Sequence, residues 1–307
     1  MKKKILILGY SNFVQRRVLK SLKKINGLEI YICSKSHDLD NKKKILFNDY
    51  EIALSAKKFD FVYISLINIL HYRYALKALK KGFNVIVDKP ISIQYSHTEK
   101  LLEIAKNKKL FLCELTVFNY HIVYNKILEI LGGKNKIDSI QANFNIPQNK
   151  SLKSMKLLKN SCDYDMAPYA ASIIRIFFSK NFKINKIIKN FYNKPYKKIV
   201  KNFSFLISFK EKVFFGNFAV SKEYISNIIF FSKDKIIEIP HQAFALPCNK
   251  YITFILKHKN RKVKIRYKND YIQDFFSQIL NNRYSKNYFY KIIEEDNKIK
   301  KKLGLLK

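Results

Sequence analysis

Residues 61–92 read FVYISLINILH (61–71), YRYALKALKK (72–81) and GFNVIVDKPIS (82–92), which are two strand-like runs on either side of an amphipathic helix. In an open parallel sheet, ligands bind outside the carboxyl ends of the strands. Polar or turn-forming residues follow both predicted strands, namely Ser65, Asn68 and His71 after the first, and Asp88, Lys89 and Pro90 after the second. We therefore expect a ligand site at this edge, which indicates an enzyme rather than a generic globular domain.

The residues around this segment continue the alternation of strands and helices. Strands are predicted at residues 4–8, 28–33, 61–65, 85–87 and 110–115, with helices at 12–24, 50–57, 75–81 and 97–107. Alternation of this kind is typical of βαβ units, which form a parallel sheet with helices on both faces. The first part of the chain is therefore predicted to be an α/β domain.

The second part has a different pattern. A helix at 120–131 is predicted to end at Gly132-Gly133, because glycine favours the left-handed residue that closes helices. Strands are then predicted at 203–209, 213–220, 224–231, 235–239, 251–257 and 262–267, with helices near 163–178 and 271–281. Consecutive strands predict an antiparallel or mixed sheet. We place the domain boundary near Phe118, which gives domains 1–118 and 119–307.

Length and cysteine content favour a cytoplasmic protein. The 307 residues suggest about two domains, and no apolar run reaches the ~20 residues that span a bilayer. The apolar start of the chain is about four residues long before Gly9, so it predicts a first strand rather than a signal peptide. The cysteines are Cys33, Cys113, Cys162 and Cys248, and they lack metal-binding spacing. We expect reduced thiols and no metal.

The formal net charge of +37 is typical of a protein that binds nucleic acid or anionic membranes. Here lysine provides nearly all of the positive charge and is spread along the chain, with dense runs only at Lys42–Lys44 and Lys298–Lys302. Arginine, which suits bidentate phosphate contacts best, is rare. We therefore interpret the charge as solvated surface that favours small anionic substrates, and we expect no specific nucleic-acid partner and no membrane partner.

A candidate phosphate-binding turn follows the first strand. Gly9, Ser11, Asn12 and Phe13 lie between that strand and a helix, which is the context of a dinucleotide-binding turn. Gly9 suits the tight turn, while Ser11 and Val14 stand where further glycines are usual. Ser11 could donate its hydroxyl to a phosphate at the helix N-terminus. An ordinary strand–helix turn is an equally open interpretation.

The end of the second strand bears on the choice of coenzyme. Ser34 and Lys35 stand where an NAD-preferring site usually has a carboxylate for the ribose 2′-hydroxyl. A hydroxyl and a cation suit a 2′-phosphate instead, so the sequence favours NADP, with NAD as the alternative. Asp38 lies close enough in the sequence to weaken this argument.

These residues together resemble the Gfo/Idh/MocA oxidoreductase family, and the resemblance covers most of the chain. The segment from Ser65 to His71 is similar to that family's Thr-Pro-Asn-x-x-His loop, and Asp88-Lys89-Pro90 is similar to its Glu-Lys-Pro motif. The segment Asp165-Met-Ala-Pro-Tyr169 resembles its Asp-x-Gly-x-His motif, in which tyrosine also occurs at the last position. Glu114 and the segment from Phe118 to His121 are similar to the domain crossover of members that act on sugars.

The resemblance implies a fold and an activity. The fold is a Rossmann domain with a doubly wound parallel sheet, followed by an α/β domain with an open, mostly antiparallel sheet. The first domain would bind the dinucleotide, and the second would bind substrate and form a homodimer or homotetramer through the free face of its sheet. The aromatic strands at 203–209 and 228–231 suit such a contact, and a buried core face is the alternative. The activity is hydride transfer between NAD(P) and a carbinol or ketone of a sugar or sugar nucleotide.

The resemblance also assigns roles to individual residues. Tyr169 is the expected general acid/base, and Lys89 is the ammonium that favours its phenolate and hydrogen-bonds the substrate hydroxyl. Asp165 would hold the substrate or orient Tyr169, since residues four apart share a helix face. Coenzyme contacts are expected from Gly9, Ser11, Asn12, Phe13, Ser34, Lys35, Ser65, Asn68, His71, Asp88 and Lys89.

Structural roles remain open for the same residues. Tyr169 could be a packed helix residue, Asp165 a helix N-cap, Asn68 a turn former, and His71 and His121 structural hydrogen-bonders. For the whole chain, the alternative is a non-catalytic family member that acts as a binding or regulatory protein. A protein that binds polyanions is a third and separate class.

Overall fold

The computed structural model describes residues 2–35, 45–56, 59–147, 161–193, 199–221, 223–246, 250–281 and 285–306. The chain divides into two compact units, the first formed by Met1–Val117 with Ile272–Asn297 and Lys307, and the second by Phe118–Tyr271 with Lys298–Leu306. The division into functional domains at residue 118 stays a prediction. Asp38, Cys248 and the run Lys42–Lys44 lie outside the described residues.

Within its described residues, the first unit contains one parallel sheet of six strands. They are β1 (Lys3–Leu8), β2 (Leu28–Cys33), β3 (Ile45–Phe47), β4 (Phe61–Ile64), β5 (Asn84–Asp88) and β6 (Leu112–Leu115). Their order is β3-β2-β1-β4-β5-β6, so the chain winds outward from β1 in both directions. The predicted doubly wound parallel sheet is confirmed.

Helices connect these strands. The β1–β2 connection is a π-helical turn, Val14–Val18, that continues into α1 (Leu19–Leu22). The others are α2 (Tyr50–Ala56), α3 (Asn68–Lys80) and α4 (Tyr95–Asn107). Residues Ile5 to Leu8 of β1 are completely buried, because helices cover both faces of a parallel sheet. This explains why the strands read as short continuous apolar runs.

The described part of the second unit contains a sheet of eight strands. They are β7 (Ile137–Pro147), β8 (Lys183–Phe191), β9 (Val200–Phe209), β10 (Lys212–Ser221), β11 (Ile225–Ser232), β12 (Lys235–Ile239), β13 (Tyr251–His258) and β14 (Arg261–Lys268). The order is β14-β13-β12-β11-β7-β10-β9-β8, in which β7 and β10 are parallel and the other pairs antiparallel. The predicted mostly antiparallel sheet is confirmed, although β7 and β8 were not expected.

Helices α5 (Ile122–Leu131) and α6 (Cys162–Phe177) lie in the described part of the second unit. As predicted, α5 ends at a glycine, since Gly132 adopts the left-handed conformation with φ of 75°. Phe203, Phe205 and Phe230 are buried inside this unit, so these aromatic side chains belong to its core. The alternative interpretation, a buried core face, therefore accounts for these aromatic residues. The predicted homodimer or homotetramer stays a prediction.

The chain continues through α7 (Tyr271–Leu280) and α8 (Lys286–Lys302). The lysine run at the end of α8 is not uniformly solvated as expected, because Lys300 is only 1% exposed. In the described parts of the chain, no helix combines the length and the apolar character that a membrane crossing requires.

Three of the cysteines are buried thiols that form no disulfide, namely Cys33, Cys113 and Cys162. Burial, followed by the nearby charge of Asp49, raises the pKa of the Cys33 thiol to about 12. A thiol with a raised pKa is a poor nucleophile and a poor metal ligand. No group of three or more His, Cys, Asp or Glu suited to a metal occurs among the described residues, and the expected lack of a metal stays a prediction.

Candidate active site

The turn after β1 brings two backbone segments into very close contact. Gly9 has a φ of +105°, and a Cβ built on it would lie 2.1 Å from the carbonyl oxygen of Ser65. The amide of Ser65 in turn donates to the carbonyl of Leu8 at 2.8 Å. Only glycine fits this conformation and this space. The turn therefore leaves bare backbone at the carboxyl end of β1, which is where a dinucleotide phosphate binds in such sheets.

Ser11 caps the helical segment that follows this turn. Its Oγ accepts a hydrogen bond from the amide of Val14 at 3.2 Å and lies 3.0 Å from Oγ of Ser65. Asn12 is exposed and Phe13 is half-buried at the start of the segment. The amides of a helix start are suited to an anion.

A chain of hydroxyl groups links this turn to the end of β5. Oγ of Ser65 donates to Oδ2 of Asp88 at 2.5 Å, and the hydroxyl of Tyr63 donates to Oδ1 at 2.5 Å. Because Ser65 gives its only proton to the carboxylate, its oxygen accepts the proton of Ser11. A phosphate contact from Ser11 therefore requires its hydroxyl to rotate away from Ser65.

Asp88 is a buried carboxyl group with opposing influences on its ionisation. Burial raises its pKa, while the hydroxyls of Ser65 and Tyr63 and the charges of His71 and Lys89 lower it, and the net effect is upward. Burial and the neighbouring carboxylate also raise the pKa of Tyr63 well above its ordinary value. Tyr63 therefore acts as a neutral donor, and sequence reasoning missed it because it lies inside the β4 strand.

The phenol of Tyr63 provides a test of this network. Tyr63→Phe is expected to lower the free energy of unfolding by about 1.5–3 kcal/mol when Asp88 is ionised, since a hydrogen bond to a charged group is lost. The ring contact with Phe276, with centroids 5.8 Å apart, is retained. The difference between the proteins should be full above the folded-state pKa of Asp88 and should shrink as pH falls through it.

Urea unfolding at a series of pH values measures this difference. Asp88 itself has a raised folded-state pKa, so the wild type should lose stability from this group as pH rises from the ordinary value of 3.8 through that pKa. Tyr290→Phe is the matched control, because the hydroxyl of Tyr290 lies within hydrogen-bond distance of uncharged backbone carbonyls only, that of Leu110 and, at 3.2 Å, that of Ala105. An equally pH-independent loss in both variants would contradict the assigned role.

His71 joins the loops that follow β4 and β5. Its Nδ1 lies 2.7 Å from the carbonyl oxygen of Pro90, and its Nε2 lies 2.9 Å from the carbonyl oxygen of Leu66. The side chain is 1% exposed. Both ring nitrogens are thus engaged by backbone, so the geometry favours the structural role of His71 over the expected coenzyme contact. Asn68, the first residue of α3, is half-buried at the same edge.

Lys89 follows β5 directly and is half-buried, and its peptide bond to Pro90 is cis. The next part of this loop is held by Glu114 at the end of β6. Glu114 accepts the amide of Ile91 at 2.7 Å through Oε2 and the hydroxyl of Thr116 at 3.0 Å through Oε1. Glu114, whose segment resembles the crossover of sugar-specific members, thus shapes the loop that carries Lys89.

Lys35, which follows β2, forms an ion pair that the sequence did not reveal. Nζ of Lys35 lies 3.1 Å from Oδ2 of Asp49 and 5.3 Å from the ring centroid of Tyr50. The pKa of Asp49 lies below its ordinary value. The largest cause is the hydrogen bond from the amide of Ile52, followed by that from Lys35. The hydrogen bond to Asp49 raises the pKa of Lys35, and Ser34 beside it is 1% exposed. Lys35 therefore already carries a counter-ion.

In the second unit, α6 carries the other two residues of the predicted catalytic group. Ser161 occupies the N-cap position, so the open alternative that Asp165 is the cap is wrong. Asp165 lies in the first turn of α6 and Tyr169 one turn later, on the same face. The ring of Tyr169 packs edge-on against Phe144 and Phe244, with centroids 5.0 and 5.8 Å apart. These contacts fix the direction of the phenol.

A comparison with protein families gives a match in the first unit. Residues 3–115 match the family model described as "Oxidoreductase family, NAD-binding Rossmann fold", the Gfo/Idh/MocA family. The resemblance to that family predicted from the sequence is confirmed, and the matched residues lie in the first unit.

Individual relatives extend the comparison. A dTDP-3,4-didehydro-2,6-dideoxy-alpha-D-glucose 3-reductase from Streptomyces violaceoruber is 30% identical over 100 residues, or 32% of this chain. A D-xylose 1-dehydrogenase (NADP(+)) from Hypocrea jecorina is 28% identical over 113 residues, or 35% of this chain. Each alignment covers 29% of the relative's own length.

A solved structure matches almost the whole chain. The 3-ketoreductase from Actinomadura kijaniata, in complex with TDP-benzene and NADP, superposes with a TM-score of 0.86 at 17% identity. The superposition covers 98% of this chain and 96% of that one. This likeness establishes that the fold of both units is shared.

Proposed function

We propose that the protein is an NADP-dependent oxidoreductase that transfers a hydride between the nicotinamide and a carbinol or ketone of a sugar nucleotide. The observation that carries the proposal is the sheet edge of the first unit, where Gly9, Ser65, Asp88 and Lys89 lie together at the carboxyl ends of three neighbouring strands. The name of the Streptomyces protein points to a nucleotide-linked keto sugar.

The residues of the first unit fit a dinucleotide. The close contact between Gly9 and the backbone of Ser65 shapes the turn after β1, at the strand end where a pyrophosphate would bind. Ser34 and Lys35 at the end of β2 would hold a 2′-phosphate. When bound, NADP supplies the hydride.

The remaining chemistry belongs to side chains of this chain. We assign to the phenol of Tyr169 the transfer of the proton to or from the reacting oxygen of the sugar. The ammonium of Lys89 would hydrogen-bond that oxygen and favour the phenolate of Tyr169. Asp165, one turn before Tyr169 on α6, would orient the phenol or hold a substrate hydroxyl.

The choice of coenzyme can be tested at the pair formed by Lys35 and Asp49. Lys35→Ala is expected to weaken binding of NADPH about tenfold and binding of NADH little, because a charge-assisted contact to the 2′-phosphate is lost. Asp49→Asn is expected to strengthen binding of NADPH, since it removes the anion 3.1 Å from Nζ of Lys35. Asparagine keeps the oxygen that caps α2.

Fluorescence titration of the three proteins with both coenzymes measures these changes. Equal losses for NADPH and NADH in Lys35→Ala would contradict the assignment of the 2′-phosphate to Lys35.

The function itself is tested with the unmodified protein. NADPH should raise the melting temperature and change the fluorescence, and a panel of keto sugars and nucleotide-linked keto sugars should reveal NADPH oxidation. Binding of NADPH without turnover of any sugar would favour the non-catalytic alternative. Failure to bind either coenzyme would reject the proposal.

A further inference from the structure

Two neighbouring hairpin turns of the second unit border an open pocket of about 520 Å³. The first turn joins β11 to β12, and the second joins β13 to β14. Because β12 pairs with β13, the two turns lie side by side at the same end of the sheet. We call this space the two-turn pocket, and residues 231–236 and 257–262 line it. Its volume is within the ~300–1,000 Å³ that is usual for small-molecule sites.

Hydrogen bonds hold both turns in place. Oγ of Ser232 accepts the amide of Lys235 at 3.2 Å and donates to the carbonyl of the same residue at 3.1 Å, which closes the first turn. Nδ1 of His258 lies 2.9 Å from the carbonyl oxygen of Asp234, so it links the second turn to the first. Residues 259–260 form a two-residue connection with φ values of 44° and 62°, which suits the twist of a hairpin. The pocket is therefore shaped by ordered backbone.

The two-turn pocket carries a large excess of positive charge. Asp234 is the acidic residue in its lining. The cationic lining residues are Lys233, Lys235, Lys257, Lys259, Arg261 and Lys262. Nζ of Lys257 lies 3.3 Å from Oε2 of Glu238, and Nζ of Lys235 donates to the carbonyl of Ile130 at 3.0 Å. The other four cations form no ion pair with any residue that the structure describes. They are therefore available to an external anion.

The register of the sheet places two of these cations directly opposite each other. Lys257 of β13 pairs with Lys262 of β14. Side chains at such positions have Cβ atoms about 4.5–5.5 Å apart, and like charges there destabilise a sheet. Glu238 compensates Lys257 alone. An anion bound between the two lysines would remove the remaining repulsion, so the arrangement favours an occupied pocket.

The positions of the cations select the kind of anion. Lys233 belongs to the first turn and Arg261 to the second, so a ligand needs negative charge at more than one place to reach both turns. Two linked phosphate groups have this property, and arginine binds phosphate oxygens in a bidentate manner. The pocket therefore suits a diphosphate better than a single phosphate or carboxylate.

An apolar row continues from these cations across the sheet. Phe231 pairs with Ile236, and Ile236 pairs with Lys257 on the next strand. Phe231 and Ile236 are half-buried and line the pocket. An aromatic side chain beside a cationic groove is the arrangement on which nucleic acid bases stack. This row can hold the base of a nucleotide whose phosphates lie on the lysines.

We propose that the two-turn pocket binds a diphosphate group, carried by a nucleoside diphosphate or by inorganic pyrophosphate. The lining residues all lie in the second unit. None of them is assigned to the coenzyme or to proton transfer, so the site is additional to the proposed function and does not depend on it. The apolar row favours the nucleotide over pyrophosphate.

The double variant Arg261→Ala/Lys262→Ala tests the site. Calorimetric titration with pyrophosphate and with ADP, in ~0.15 M salt to screen distant charges, should show binding weakened about tenfold. The melting temperature without ligand should not fall, since Lys262 repels Lys257. The affinity for NADPH should be unchanged. Phe231→Leu should weaken binding of ADP severalfold and leave binding of pyrophosphate unchanged, because only the base is stacked. An equal affinity for ADP in Phe231→Leu and the wild type would assign the site to pyrophosphate.

Lys264→Ala/Arg266→Ala is the matched control. It removes one lysine and one arginine from the same strand, and both are exposed residues outside the pocket lining. Its affinity for both ligands should stay near the wild-type value. Equal losses in the two double variants would show general attraction of anions and overturn the site. A wild type that binds neither ligand, or an unchanged affinity in Arg261→Ala/Lys262→Ala, would also overturn it. Tighter binding of a DNA oligonucleotide than of ADP, lowered equally by both double variants, would indicate a nucleic-acid surface instead.

Discussion

Tyr169→Phe is expected to lower kcat by about 10²–10⁴-fold, the usual contribution of a positioned general acid or base. The substitution removes only the hydroxyl, because phenylalanine keeps the edge-on contacts with Phe144 and Phe244. The melting temperature and the affinity for NADPH should therefore stay near their wild-type values. Steady-state kinetics with the best sugar from the panel, combined with NADPH titration, measures the separation of turnover from binding.

Tyr224→Phe is the matched control, since the ring of Tyr224 also contacts Phe144, with centroids 6.4 Å apart. This tyrosine is 46% exposed, and its variant should retain full turnover. Lys89→Ala should lose turnover on a similar scale to Tyr169→Phe. Substantial turnover in Tyr169→Phe would contradict its role, and a common loss in all three variants would indicate a defect unrelated to proton transfer.

Gly9→Ala is expected to cost about 3 kcal/mol or more of the free energy of unfolding and to abolish binding of NADPH. Two effects add: a φ of +105° that L residues avoid, and a Cβ placed 2.1 Å from the carbonyl oxygen of Ser65. Strain of the first kind costs about 1–2 kcal/mol, and overpacking of the second costs about 1–3 kcal/mol. The obstructing atom is backbone, so β1 and the β4 loop must move apart at the edge where the coenzyme is proposed to bind.

Gly82→Ala separates the two effects. Gly82 also has a positive φ, +88°, but a Cβ there meets nothing within 4 Å. Its variant should lose only the strain contribution, about 1–2 kcal/mol, and should bind NADPH normally. Urea unfolding and NADPH titration of both variants provide the comparison. Equal losses of stability in the two variants would show that the contact with Ser65 is not the constraint.

The first unit could be predicted well because its strands are buried on both faces. Such strands form short apolar runs, and residues 28–33 were predicted with the bounds that β2 has in the structure. The polar residues that end β1, β4 and β5 then follow from the parallel arrangement alone. The pairing between Lys89 and Tyr169 stays a prediction, since it depends on chemistry that activity must test.

The missed elements have physical reasons. Strand β7 has one buried face and one polar face, and its signal is only the alternation of Ile140, Ala142 and Phe144 with polar residues. Strand β8 lies at the sheet edge and is largely exposed, so it has no clear apolar face. Helix α8 ends in lysines, and a charged run of this kind suggests a solvated tail until its packing is known.

Partners of the site residues could not be predicted because they come from distant segments. Asp49 reaches Lys35 from the start of α2, and Tyr63 reaches Asp88 from within a neighbouring strand. The sequence indicated where a ligand would bind, and tertiary packing decided which side chains remain available to it.

The imidazole of His71 acts as a crosslink made of hydrogen bonds. Its two nitrogens face carbonyls of segments at opposite ends of the α3 crossover; a neutral ring donates to one of them and a protonated ring donates to both. This contact orders the loop that presents Lys89 when the chain folds. The conformational entropy of this loop is therefore lost during folding. Binding of a coenzyme does not have to order the loop again. Lys89 is therefore carried by a loop that is already in place before a coenzyme binds.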